Sequence, residues 1–185
     1  MDNLDEIYLE QAKLMHKDPK VWKGHMIKRY MPQIKDIIEK YNIDTILDYG
    51  CGKAQHHPDS WNSYKYDPAV PQFEKKPEAG RKFDLVICID VLEHIPQADL
   101  PRIIKEIFDY SGKYVFATAA TSKAGKTLPN GMNAHATVQP EEWWKELFKP
   151  YEGRFTLDFT TKKTKRNSSD ISVSYTHLRA HETGY

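Results

Sequence analysis

The chain has 185 residues, enough for one domain with a sizeable core. Apolar residues make up 39% and charged residues 29%, and a net charge of +1 excludes a strong basic field for nucleic acid and an acidic tail. No run of about 18 apolar residues is present, which excludes a membrane-spanning helix.

The N-terminus, MDNLDEIYLEQ, is acidic and has no apolar signal core, so a cytoplasmic protein is expected. Residues 4 to 16 read as a short helix. Residues 25 to 41 read as a longer one, with Met26, Tyr30, Ile34, Ile37, Ile38 and Tyr41 at helical spacing. Pro32 lies inside that pattern and predicts a break near Met31. Thr45 to Asp48 is a short buried strand, and Ser63 to Tyr66 a weaker one ending at Asp67-Pro68. The stretch PAVPQFEKKPEAGRK has three prolines and no period, and reads as loop. FDLVICID, Phe83 to Asp90, has the continuous apolar run of a strand buried on both faces.

Residues 97 to 110 form an amphipathic helix carrying Leu100, Ile103, Ile104, Ile107 and Phe108 on one stripe. Lys113 to Thr118 is a strand, and a long polar loop follows it. Pro140 to Lys149 is a helix, with Glu141 and Glu142 at the positive end of its dipole. Of Trp143 and Trp144, one is expected to pack inward and the other to lie at the rim. Phe155 to Thr160 is a further strand. Strands alternating with helices predict an α/β fold, a Rossmann-like doubly wound and mostly parallel sheet. Cys51 and Cys88 sit in apolar contexts without metal-ligand spacing and read as reduced, structural thiols.

The chemistry starts at ILDYGCGKA, Ile46 to Ala54. Asp48 ends a buried strand, and Gly50 and Gly52 strip side chains from the bend that follows. A ligand can then approach the backbone closely. The dinucleotide fingerprint G-x-G-x-x-G lacks its third glycine here, which counts against a nicotinamide-dependent oxidoreductase. Asp67 ends the next strand, near the ~20-residue offset at which an acid grips ribose hydroxyls. Two such acids describe a nucleoside with a cationic end, and S-adenosylmethionine fits that description.

The pieces ILDYGCGKA, YKYDPAVP, FDLVICIDVLEHIP and LPNGMNAHATVQPEEWW together resemble class I S-adenosylmethionine-dependent methyltransferases. With the early WKGHMIK they are similar to a group of small phage and bacterial methyltransferases. The resemblance covers roughly residues 7 to 160. It implies S-adenosyl-L-methionine as methyl donor, held by Asp48, Gly50, Cys51, Gly52, Asp67, Pro68, Ile89, Asp90 and Val91. Only Phe73 or Glu74 is on offer for the adenine side, and Trp22 with Gly24 for a lid.

Asp90, His94 and His135 are the candidate catalytic residues, able to orient an acceptor or take its proton. Asp90-x-x-Glu93-His94 with His135 also resembles part of the metal set of RNA 3′-end 2′-O-methyltransferases, although no second downstream histidine matches; no metal is expected. The acceptor is a small molecule or a nucleic acid, the former favoured because no basic face stands out. A cofactor-binding protein without turnover is the rival reading.

Val173 to Thr183, VSYTHLRAHET, resembles the translation of a transposon-end sequencing adapter. Residues 1–171 are therefore expected to be one methyltransferase domain, with N-terminal helices over 1–42 and a cofactor-binding core over 43–160. Residues 173–185 would be a non-native tail. On that reading the last strand is incomplete, TKKTKR is the turn of a broken hairpin, and the His177–His181 spacing carries no function.

Overall fold

The computed structural model describes residues 3–152, 155–163 and 169–177. Four helices form: α1 (Asn3–Lys17), α2 (Ile27–Lys40), α3 (Leu100–Tyr110) and α4 (Glu141–Phe148). Six strands form: β1 (Ile46–Tyr49), β2 (Ser63–Tyr66), β3 (Phe83–Cys88), β4 (Ser111–Ala120), β5 (Phe155–Lys163) and β6 (Ser169–His177). They make one sheet in the order β2-β1-β3-β4-β6-β5. The four strands from β2 to β4 are parallel, and β6 runs antiparallel to both β4 and β5. The Rossmann-like, mostly parallel sheet is the one the alternation of elements predicts.

Side chains of successive strand residues point to opposite faces, so a strand buried on both sides feeds two cores. Leu47, Val86, Cys88, Val115 and Ala117 pack on one face with Ile104, Ile107 and Phe108 of α3 and Trp144 and Phe148 of α4. Ile46, Leu85, Ile87, Tyr114 and Phe116 pack on the other with Ile27, Tyr30, Ile34 and Ile37 of α2. This two-sided burial is what the unbroken apolar run of β3 encodes. Trp144 is the inward member of its pair and Trp143 the half-buried one. Cys51 and Cys88 are buried free thiols.

Four expectations change. Pro32 does not break α2, which runs through it. Proline's fixed φ suits a helix, and its missing N–H removes a single backbone bond, while the buried stripe on either side holds the helix in place. The strand expected over Lys113 to Thr118 extends over Ser111–Ala120, because β3 pairs with it from Ser111 to Ala117 and β6 from Tyr114 to Ala120. The incomplete last strand is instead the nine-residue β6, paired along its length with β5; period-2 apolar residues Ile171, Val173 and Tyr175 suit a strand. TKKTKR is expected to be a turn, but its first half, Thr161–Lys163, continues β5 and pairs with β6. Its second half, 164–166, and the end of the adapter-like tail, 178–185, lie outside the described residues.

Candidate functional site: a cleft beyond the first and third strands

The chain leaves β1 towards β2 on one side, while β3 and β4 lie on the other. Strand order therefore reverses between β1 and β3, where a doubly wound sheet opens a crevice at its carboxyl ends. A cavity of about 360 Å³ occupies that place. Its floor is the bend after β1. Gly50 sits at φ +81°, and a Cβ there would lie 2.3 Å from Cγ2 of Val91. Only glycine lets the bend and the Val91 segment come this close.

Asp67, at the end of β2, is buried and ties the bend down. Its Oδ2 accepts a hydrogen bond from the Gly52 N–H at 2.8 Å, and its Oδ1 one from the Ala69 N–H at 2.9 Å. Each carboxylate oxygen keeps a lone pair for a ligand hydroxyl. Burial raises its affinity for a proton, and the two backbone donors partly oppose that. Asp48 is also buried, and burial followed by the charge of Asp67 pushes its carboxyl up to about 7.

Beyond β3 the backbone turns sharply. Asp90 adopts φ +60°, a strained conformation for a non-glycine residue, and its N–H donates to Oγ1 of Thr118 at 2.9 Å. Glu93, 1% exposed, accepts from the Ala120 N–H at 3.0 Å. Burial and the neighbouring charge of Asp90 hold its carboxyl far above the usual carboxylate range. Glu93 is therefore an interior brace rather than a group of the cleft wall. His94 lines the cleft, with Nδ1 2.7 Å from the Ala134 carbonyl oxygen. His135 has Nδ1 2.6 Å from the Ser122 carbonyl oxygen, and its ring meets His94 edge to face at 4.9 Å. In both, Nδ1 carries a hydrogen towards the carbonyl, and in the neutral His94 ring Nε2 is left with a lone pair. Burial pushes His94 down to about 4, so the ring is neutral near pH 7. Among the described residues no three His, Cys, Asp or Glu side chains are grouped to hold a metal ion.

Trp22 and Gly24 roof the cleft. The Trp22 carbonyl accepts from the Lys53 N–H at 3.4 Å, that of Lys23 from the Gln55 N–H at 3.2 Å, and Lys53 Nζ donates to the Val21 carbonyl at 2.7 Å. The Trp22 ring lies between His16 of α1 and His94, 5.2 Å from each. Helix α1 closes the mouth with Tyr8, Leu9, Ala12 and His16.

A family model for a methyltransferase domain matches residues 16–153. The chain belongs to this methyltransferase family. No curated protein matches it. Among solved structures it is similar to 1,6-didemethyltoxoflavin-N1-methyltransferase of Burkholderia thailandensis with bound 1,6-didemethyltoxoflavin and S-adenosylhomocysteine. The TM-score is 0.65 at 14% identity, over 96% of this chain and 91% of that one. Magnesium protoporphyrin IX methyltransferase of Synechocystis, with bound S-adenosylhomocysteine, gives 0.60 at 15% identity over 94% and 95% of the two chains. The Pnkp1/Rnl/Hen1 RNA repair complex gives 0.52 at 14% identity over 80% and 41%.

The methyltransferase cleft gathers all nine residues expected around the donor: Asp48, Gly50, Cys51, Gly52, Asp67, Pro68, Ile89, Asp90 and Val91. His94 lines it too, while His135 stands one ring behind. Phe73 and Glu74 do not reach it. The Phe73 carbonyl accepts from the Asp67 N–H at 3.0 Å, closing the turn after β2, and Glu74 faces a smaller neighbouring hollow. Lys76, Arg102 and the α1 residues line the cleft without any local sequence signal; the docking of α1 and α3 brings the helical ones there, and an ion pair with Glu106 of α3 holds Lys76 of the loop after β2. Trp22 and Gly24, offered for a lid, line the cleft.

Proposed function

We propose that this methyltransferase binds S-adenosyl-L-methionine in the cleft beyond β1 and β3 and methylates a small-molecule acceptor delivered beside His94. The convergence of Asp48, the Gly50 bend, Asp67 and the Ile89–Val91 segment on one cavity of about 360 Å³ carries this reading, since that volume suits a nucleoside-sized ligand. The side chain missing at Gly50 and the two wall carboxylates fit a ligand with hydroxyls and a cationic amine. When bound, the donor supplies a methyl group already activated on a sulfonium.

The chain's own residues bind, align and exclude water. Asp48 faces the cationic end and Asp67 the ribose hydroxyls. Ile89 and Val91 give an apolar wall, and Trp22 with α1 shuts out solvent. Alignment of the acceptor is the main demand of an in-line displacement. Asp90 and Nε2 of neutral His94 are the groups placed to orient an acceptor N–H or O–H and receive its proton. The small cleft and the net charge of +1 favour a small acceptor over a nucleic acid.

The test is turnover. The protein is incubated with methyl-labelled donor and candidate aromatic and heterocyclic small molecules, and S-adenosylhomocysteine release is followed. Acceptor-dependent release supports the assignment. Tight donor binding with no release for any acceptor class, RNA included, supports the rival of a binding protein without turnover.

A further inference from the structure

Behind Asp48, on the side away from the cleft, lies a histidine that the donor-binding reading leaves unused. His57 is buried, its side chain 1% exposed, and its Nε2 makes no hydrogen bond. That nitrogen lies 3.7 Å from Oδ2 of Asp48, aimed at it but too far for a direct bond. The other nitrogen, Nδ1, lies 3.2 Å from the Pro58 carbonyl oxygen, which has only lone pairs to offer. The hydrogen of the neutral ring therefore sits on Nδ1, and Nε2 turns a lone pair towards the carboxyl. Trp61 fixes the ring edge to face at 5.2 Å. A lone pair facing a buried carboxylate is repulsive, whereas a lone pair facing a carboxyl O–H is attractive.

We infer that His57 is a positioning residue for Asp48, and that the two side chains hold one proton on Asp48 until a cationic group in the cleft displaces it. This inference rests on the proposal that the cleft binds the donor through Asp48. The step balances simply: the Asp48 O–H breaks, its proton leaves to solvent, and the carboxylate forms an ion pair with the ligand's ammonium group. The neutral His57 ring keeps its hydrogen on Nδ1, towards the Pro58 carbonyl, so its Nε2 lone pair disfavours the bare carboxylate and the ligand's ammonium group offsets that repulsion.

The surrounding charges agree with a protonated resting pair. Asp67, from the end of β2, raises the proton affinity of Asp48, and Lys65, its register partner on β2, lowers it. Lys65 also disfavours a charged His57, and Asp59 favours one. His16 of α1 faces Asp67 rather than this pair. Cys51 is held as a neutral thiol by burial. On this face of the sheet α2 presents Ile27, Tyr30, Ile34 and Ile37, none of them charged at neutral pH. Burial outweighs Lys65, leaving Asp48 near 7 and His57 near 4.

The test is calorimetric titration of the full chain with S-adenosylhomocysteine at pH 6 and pH 8, in two buffers of different ionisation enthalpy. The expected result is close to one proton released per ligand at pH 6 and little at pH 8. Affinity at pH 6 is about tenfold weaker, one unit below the Asp48 midpoint. His57→Phe keeps a ring on Trp61 but has no lone pair. In it the midpoint of the affinity profile moves to lower pH and proton release at pH 6 drops. A purely packing role would weaken binding equally at both pH values. Binding without proton release by the unmodified protein at pH 6 overturns the inference and leaves the donor-binding proposal standing. Absence of binding at either pH sinks both. The proton count of the unmodified protein decides the matter even if the variant fails to fold.

Discussion

Asp67 closes the glycine bend by accepting the Gly52 N–H at 2.8 Å, so the acid at the end of β2 shapes the loop that follows β1. The same carboxylate also fixes its own turn through Ala69 at 2.9 Å. Asp67 therefore holds the floor of the cleft, and on the proposed reading it also presents oxygens to the ligand.

Asp67→Ala is expected to affect both tasks. Two charge-assisted bonds to buried N–H groups disappear, which lowers stability by about 1–3 kcal/mol. S-adenosylhomocysteine affinity falls by a similar free energy, roughly 10- to 100-fold. Denaturant melts and calorimetry measure the two losses separately. Lowered stability with unchanged affinity would place the ribose elsewhere.

Gly50→Ala is expected to strain the bend twice. The left-handed φ of +81° disfavours any Cβ, and the new methyl meets Val91 at 2.3 Å. The loss is about 1–3 kcal/mol from the backbone alone. Adding Val91→Ala relieves the clash but not the φ, so the double variant recovers only part of the melting temperature. Full recovery would show that the left-handed conformation is not needed.

The visible and hidden parts of this site separate on physical grounds. Leu85–Cys88 is legible because a strand segment buried on two faces must be apolar at every position, and Asp48, Gly50 and Gly52 because an acid at a strand end followed by a left-handed bend leaves a local pattern of residue types. His16 and the outer wall of the cleft are not legible. They arrive through the docking of α1, which its own weak periodicity does not announce. Pro32 misleads because a missing N–H reads locally as a break, yet the packing of Ile27, Tyr30, Ile34 and Ile37 holds the helix together. His57 has no motif at all; its relation to Asp48 exists only once β1 and the following loop fold together.

Asp48 and His57 give stability a pH dependence of known sign. A carboxyl raised to about 7 favours the fold below its ordinary 3.8, and that contribution is lost as pH rises through about 7. His57, lowered to about 4, contributes above its ordinary 6.5 and loses that contribution as pH falls towards 4. Between about 4 and 6.5 the two slopes oppose each other. Asp48→Asn removes the first, so this variant melts higher than the unmodified protein at pH 8 and is destabilised on acidification below 6.5. Melting temperatures at pH 5 and 8 check this, and parallel profiles for the two proteins would contradict it. The same variant binds S-adenosylhomocysteine more weakly.

His94→Gln keeps a polar side chain but no ring. If Nε2 of His94 handles the acceptor's proton, kcat falls about 10²–10⁴-fold while S-adenosylhomocysteine affinity changes less than threefold. His135→Gln, one ring further back, is expected to lower kcat by less. A loss of ligand affinity matching the loss of kcat would mean that His94 only braces the cleft.

A crystal structure with S-adenosylhomocysteine bound is the most direct measurement of all. It is predicted to place the ribose hydroxyls within hydrogen-bond distance of Asp67, the amino group at Asp48 and the sulfur facing Asp90 and His94. A nucleoside lying outside the cleft between Gly50 and Val91, or inside it with neither carboxylate in contact, would contradict the account.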